Sequence, residues 1–149
     1  MRKDCDEDMQ KTLFKSADEE VLEALSYNSN LAKDVVKELL VNESYAKHIA
    51  KNIHLDSEFF EIFFKNYPIE LDKNESITSE MQELLISLRR EDVMNALATN
   101  EHLSHKAVIE LLCEESKEIK FALYENSATP LESLEEAYEN VLNHFALAN

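Results

Sequence analysis

Asparagine recurs at positions 28, 52, 74, 100, 126 and 149, at nearly even spacing. Asparagine is common, so the flanking residues decide whether the recurrence carries structure. Three residues before each asparagine stand Leu25, Ile49, Leu71, Leu97, Leu123 and Ala146. Seven before stand Val21, Tyr45, Tyr67, Val93, Ile119 and Leu142, and four before stand Ala24, His48, Glu70, Ala96, Ala122 and Phe145. Offsets of −7, −4 and −3 share one face of a helix. Each asparagine is therefore expected to close a short helix. Downstream, Leu31, Leu55, Ile77 and Leu103 follow at +3, and Val35-Val36, Phe59-Phe60, Met81-Gln82 and Ala107-Val108 at +7 and +8. Leu39-Leu40, Phe63-Phe64, Leu85-Ile86 and Leu111-Leu112 complete a second amphipathic helix.

A unit of two such helices cannot bury its apolar face alone, so neighbours must stack. The expected fold is all-α: a short α-solenoid of about five helix–turn–helix repeats of ~24 residues. Local signals agree with this phase. Ser16-Ala17-Asp18-Glu19 and Thr129-Pro130-Leu131-Glu132 read as capping boxes, and Asp56 or Ser57, Thr78 and Ser104 suit helix N-termini. The chain contains no glycine, so Asn28, Asn52, Asn74, Asn100 and Asn126 are expected to take the left-handed helix-ending conformation in its place. Without glycine, phosphate-cradling loops, dinucleotide fingerprints and nucleophile elbows are also excluded.

The expected domain layout is an acidic head with a capping helix over 1–15, followed by one solenoid domain over 16–149. A longer helix over 131–147 closes it, with Glu132, Glu135, Glu136 and Glu139 on its outer face. The last residues, Ala146 to Asn149, repeat the opening of a further unit, leaving monomer and weak homodimer both open. The segment Met1 to Asp8 has no apolar stretch of the kind a signal peptide needs, which makes the expected location cytoplasmic.

The stretch Ser104 to Pro130 resembles the leucine-rich repeat variant family. The apolar pair of that repeat corresponds to Val108-Ile109, its leucine to Leu111 or Leu112, its acidic turn to Glu114-Glu115 and its Val-Arg to Ile119-Lys120. Its asparagine corresponds to Asn126, and Pro130 opens the next unit. Residues 21–126 follow the pattern, which is also similar to HEAT-like solenoids. The proline after the asparagine is mostly missing. Cys5 stands alone where some members carry a cysteine-rich iron–sulfur segment, and such a cluster needs about four ligands. The resemblance implies a scaffold that binds macromolecules and no particular chemistry.

Formal charge is −16, from 31 acidic and 15 basic residues. Such a surface repels phosphate, which excludes ordinary nucleic-acid and anionic-membrane binding. The leading expectation is a non-enzymatic scaffold, without cofactor or metal, that binds a protein or peptide, a basic one among the candidates. The alternative is an acidic mimic of a nucleic acid, or an inhibitor of a basic nucleic-acid-binding protein. An enzyme on a HEAT-like solenoid would need a basic groove.

Phe59, Phe60, Phe63, Phe64 and Tyr67 crowd one helix, more aromatic bulk than one buried stripe holds. Phe60, Phe64 and Tyr67, with Phe121 and Tyr124, are therefore the candidate partner-binding residues. Asp4, Asp6 and Asp8 open like a calcium loop, but Met9 and Lys15 stand where Gly and Glu are required. His102 and His105 lack further ligands for zinc. His48 reads as a packed, hydrogen-bonded side chain, and Cys113 as a buried, inert thiol.

Overall fold

The computed structural model describes residues 6–16 and 18–127, together with 129, 132, 135, 136, 139 and 143. Among the described residues the chain is all-α, with nine α-helices, one 3-10 helix and no strand. It divides into two compact units, Met1–Ser76 and Ile77–Asn149.

The first unit carries α1 (Glu7–Lys15), α2 (Glu19–Ser26), α3 (Lys33–Leu39), α4 (Glu43–Asn52), α5 (Ser57–Asn66) and the 3-10 helix Glu70–Lys73. Helices of 7 to 10 residues are too short to persist alone in water, so packing must hold them. Val35, Val36, Leu39, Ile49, Phe59, Phe63 and Leu71 supply the core, each at most 4% exposed. Full burial of such a side chain contributes roughly 1.5–3 kcal/mol. Helix α2 packs on α4, and α4 on the 3-10 helix. Packing between next-but-one elements is the relation that stacked helix pairs require.

The second unit carries α6 (Ser79–Ser87), α7 (Glu91–Ala98), α8 (His105–Leu112) and α9 (Lys117–Glu125). Here α6 packs on α8 and α7 on α9. Leu85, Ile86, Val93, Leu97, Val108, Leu111, Ile119 and Leu123 form its core, each at most 1% exposed.

Start signals work largely as the sequence implies. Asp56 accepts the Phe59 N–H at 2.9 Å, Thr78 the Met81 N–H at 3.3 Å and Ser104 the Ala107 N–H at 3.1 Å. One cap differs. Asp18 rather than Ser16 caps α2, and Ser16 ends α1. The Thr129 hydroxyl is buried with no hydrogen-bond partner among the described residues, and Pro130 and Leu131 of the cap expected there lie outside them.

The helix ends depart further from expectation. None of the five asparagines is left-handed; Asn74 and Asn126 have extended backbones, with φ −80° and −75°. The residue with positive φ among those described is Arg89, at 51°, where a non-glycine side chain costs about 1 kcal/mol. The short helix expected before Asn74 is a single 3-10 turn. Pro68 cannot donate to a helix and disfavours helical backbone at Tyr67, which sits at φ −138°, ψ 49°.

The buried stripe of the short helices keeps the expected positions three and, in α4, α7 and α9, seven before the asparagine, but the third position differs. Ala24 is exposed and Ala96 and Ala122 half-buried, whereas Ser26, Ala50 and Ala98, two positions before the turn, are 0% exposed. The helix expected over 131–147 lies largely outside the described residues. Within it, Glu132, Glu135, Glu136 and Glu139 are helical and exposed.

Candidate functional site

The asparagines build a hydrogen-bonded ladder, and they are not equivalent. Asn74, 1% exposed, donates to the carbonyls of Ala50 and Ile53, each at 2.8 Å. Its Oδ1 accepts from the Ser76 N–H at 2.9 Å. Asn126 donates to the carbonyls of Ala98 and Asn100 at 2.9 and 2.7 Å. Each of these side chains satisfies carbonyls at the end of the preceding short helix, which would otherwise lack partners. Asn28 and Asn100 close their turns by accepting the N–H two positions on, from Asn30 and His102. Asn52 is exposed, lies inside α4 and donates to its own helix at His48 O.

A second ladder was not anticipated. Gln10 on α1, 2% exposed, donates to Asn30 O and accepts the Ala32 N–H, at 2.8 and 2.7 Å. Gln82 on α6, 1% exposed, does the same with His102 O and the Ser104 N–H, at 2.9 and 2.8 Å. Shifting the chain so that Gln10 falls on Gln82 makes α1 and α2 coincide in range with α6 and α7, and α3 begin in register with α8. In the same alignment 8–44 and 80–116 share 15 of 37 identities, including Met9-Gln10 with Met81-Gln82 and Asn28 with Asn100. A search at three times the short period would have found this pairing. It also accounts for Cys113, which is exposed rather than buried. Cys113 corresponds to Val41, a turn residue that is 90% exposed.

The aromatic candidates separate. Phe60 is 7% exposed and belongs to the core with Phe59 and Phe63, so it is not accessible to a partner. Phe64 and Tyr67 are half-buried. Phe64 rests on Phe60 with ring centroids 5.4 Å apart, and Tyr67 on Phe63 at 6.4 Å. Phe121 and Tyr124 on α9 are 62% and 70% exposed. Tyr124 occupies the position that carries the fully buried Ser26, Ala50 and Ala98 in α2, α4 and α7.

Phe121 borders a groove of about 520 Å³ in the second unit, shared with Glu101, Glu118 and Glu125. Among the described residues none of these three carboxylates has an ion-pair partner, and Glu118 accepts from the Ser116 hydroxyl at 3.1 Å. The first unit has a groove of about 400 Å³ lined by Ser29, Lys51, His54, Lys73 and Glu75, which matches the other at Ser29 and Lys51 but not at Lys47, the counterpart of Phe121. Asp72 beside this groove is only 9% exposed. Burial pushes its carboxyl above the ordinary value, against the opposing pull of Lys73 and Lys51.

His48 is held as expected. Its Nδ1 lies 3.0 Å from Ser26 Oγ and its Nε2 3.0 Å from the Tyr27 hydroxyl, with the Tyr27 ring stacked at 4.2 Å. The Ser26 hydroxyl donates to Glu23 O at 2.6 Å. That spends its one hydrogen, so Nδ1 is the donor to Ser26 and Nε2 the acceptor from Tyr27. With its proton committed and 0% exposure, Ser26 has no access to a substrate and is not a nucleophile.

Asp6 caps α1 by accepting the Met9 N–H at 2.8 Å, and Asp4 and Cys5 lie outside the described residues. His102 and His105 are exposed, and His105 Nε2 is 3.1 Å from Glu136. Among the described residues no group of three or more His, Cys, Asp or Glu side chains is placed to hold a metal, and no helix is long and apolar enough to cross a membrane. Comparison with protein-family models, with curated proteins and with solved structures returns no match.

Proposed function

We propose that the chain is a non-enzymatic α-solenoid, similar in plan to leucine-rich repeat variant and HEAT-like proteins, that binds a protein or peptide on its helical surface. The next-but-one packing of helices and the asparagine ladder support the repeat reading. The observation that carries the binding reading is α9. Tyr124, 70% exposed, stands at the position that α2, α4 and α7 fill with buried Ser26, Ala50 and Ala98, and Phe121, 62% exposed, puts a large ring where those helices carry the polar Glu23, Lys47 and Asn95. Exposed aromatic clusters of this kind mark interaction surfaces, and aromatic residues dominate binding energy there.

Site-specific photo-crosslinking tests the proposal. A photoreactive residue at 121 or 124 is expected to capture one discrete protein partner. The same residue at 41, 90% exposed in a turn, is expected to capture none. Equal capture from all three positions, or multiple turnover on a small molecule by the purified chain, would overturn it. The phosphate-mimic alternative makes the opposite prediction, capture spread over many acidic positions. Interspersed pairs such as Lys33 with Asp56 and Glu58, or Lys106 with Glu83, break up the acidic surface and favour the first reading.

A further inference from the structure

The groove beside Phe121 has a built-in comparison, because two of its acidic positions recur in a groove of the first unit. Glu101 in the second unit corresponds to Ser29 in the first, and Glu125 to Lys51, aligned through Asn126 and Asn52. All four residues line their respective grooves. The backbone plan is common to both, so the scaffold does not demand carboxylates at these positions. Where Lys51 stands in one groove, the other has the opposite charge.

The second groove gathers three carboxylates with no ion-pair partner among the described residues around an exposed aromatic ring. The unpartnered aromatic face of α9 is the docking surface, and the charge around it selects the occupant. We infer that this groove takes a lysine or arginine side chain from a basic peptide segment. The aliphatic stem lies along the Phe121 ring and the cationic head sits among Glu101, Glu118 and Glu125. Long basic side chains suit such a site, because their stems cover apolar surface while their heads keep polar contacts. A cation over an aromatic ring gains further attraction. Like charge on the groove rejects acidic segments. The inference rests on the scaffold reading above and names the partner's chemistry.

The test uses the full chain and three capped octapeptides: alternating leucine and arginine, the same with uncharged citrulline for arginine, and the same with glutamate. Binding is read by fluorescence anisotropy. The arginine peptide is expected to bind, with about a tenfold loss or more for citrulline and no binding for glutamate. The E101S/E125K variant installs the residue types of the first groove and is expected to weaken binding at least about tenfold. F121A is expected to weaken it severalfold. The E20S/E23K control on exposed α2 makes the same change in net charge and is expected to leave affinity within about twofold.

Equal weakening by the two double variants would overturn the inference, since attraction would then be to bulk charge. So would citrulline and arginine peptides binding alike. If the arginine peptide fails while residues 121 and 124 still crosslink a partner, the groove assignment falls and the scaffold reading stands. If the peptide binds through the groove while those residues capture nothing, the groove stands and the scaffold reading falls.

Discussion

Replacing Asn74 with alanine should separate the structural meaning of the repeated asparagines from their sequence pattern. Asn74 is 1% exposed and makes four side-chain hydrogen bonds. Two go to Ala50 O and Ile53 O at 2.8 Å, and two come from the Ser76 N–H and hydroxyl at 2.9 and 2.7 Å. A satisfied hydrogen bond contributes about 1 kcal/mol net, and an orphaned buried group costs about 1–3 kcal/mol. Ser76 is half-buried, so water recovers much of its share; Ala50 O loses its side-chain donor outright, and Ile53 O keeps only the Ser76 hydroxyl at 3.5 Å. The expected cost of Asn74→Ala is about 3 kcal/mol. For a chain of this length that lowers Tm by roughly 6–12 °C. Asn52→Ala removes an exposed bond within its own helix and gains helix propensity, so its effect should stay within about 0.5 kcal/mol. Two compact units need not melt together. Circular dichroism should therefore be paired with hydrogen exchange at the Ser76 amide, which loses protection in the first variant only. Equal shifts in Tm for the two variants would refute the ladder.

Three other outcomes follow from the same geometry. Gln10→Leu and Gln82→Leu should each cost about 2 kcal/mol, because each strips a loop carbonyl and an amide N–H of the same partner. Chemical denaturation that finds either variant neutral would break the proposed equivalence. Asp72→Asn should stabilise the chain at neutral pH. The Asp72 carboxyl is raised above the ordinary 3.8 by burial, so the native state favours the protonated form. Its contribution is fully present below the ordinary value and is lost as pH rises through the folded one. The advantage of the Asp72→Asn variant over the wild type should then shrink towards zero in acid, and a pH-independent difference in urea midpoint would contradict it.

The correspondence of 8–44 with 80–116 adds a longer spacing to that of the asparagines. The asparagine spacing accompanies apolar offsets that suit short amphipathic helices. The longer period, from Gln10 to Gln82, reflects something else. It follows the glutamine clamp, which is made at those two positions and not by every unit. Two amide side chains hold turns 20 to 22 residues away, so a mutation in one helix should be felt in the loop that follows the next helix.

Helix content and helix starts were legible because they depend on near neighbours. Apolar spacing selects a face, and Asp, Ser and Thr at helix starts satisfy free amides within the first turn. The helix ends were less legible. Asn74 and Asn126 use their side chains on carbonyls 21 to 28 residues away, and nothing in local spacing distinguishes that from left-handed closure. Of the aromatic candidates, Phe121 and Tyr124 were named from sequence and are exposed, while Phe60 was named and is buried. The carboxylates beside Phe121 carried no signal in a chain with 31 acidic residues.

By itself the sequence determined that this chain forms short amphipathic helices, since hydrophobic periodicity and capping act between close neighbours along the chain. Tertiary structure alone decided which asparagines bury their side chains, which aromatic rings face solvent and which carboxylates stand together without a base. Those outcomes depend on what packs against each helix from distant parts of the chain, and a local pattern carries no record of that.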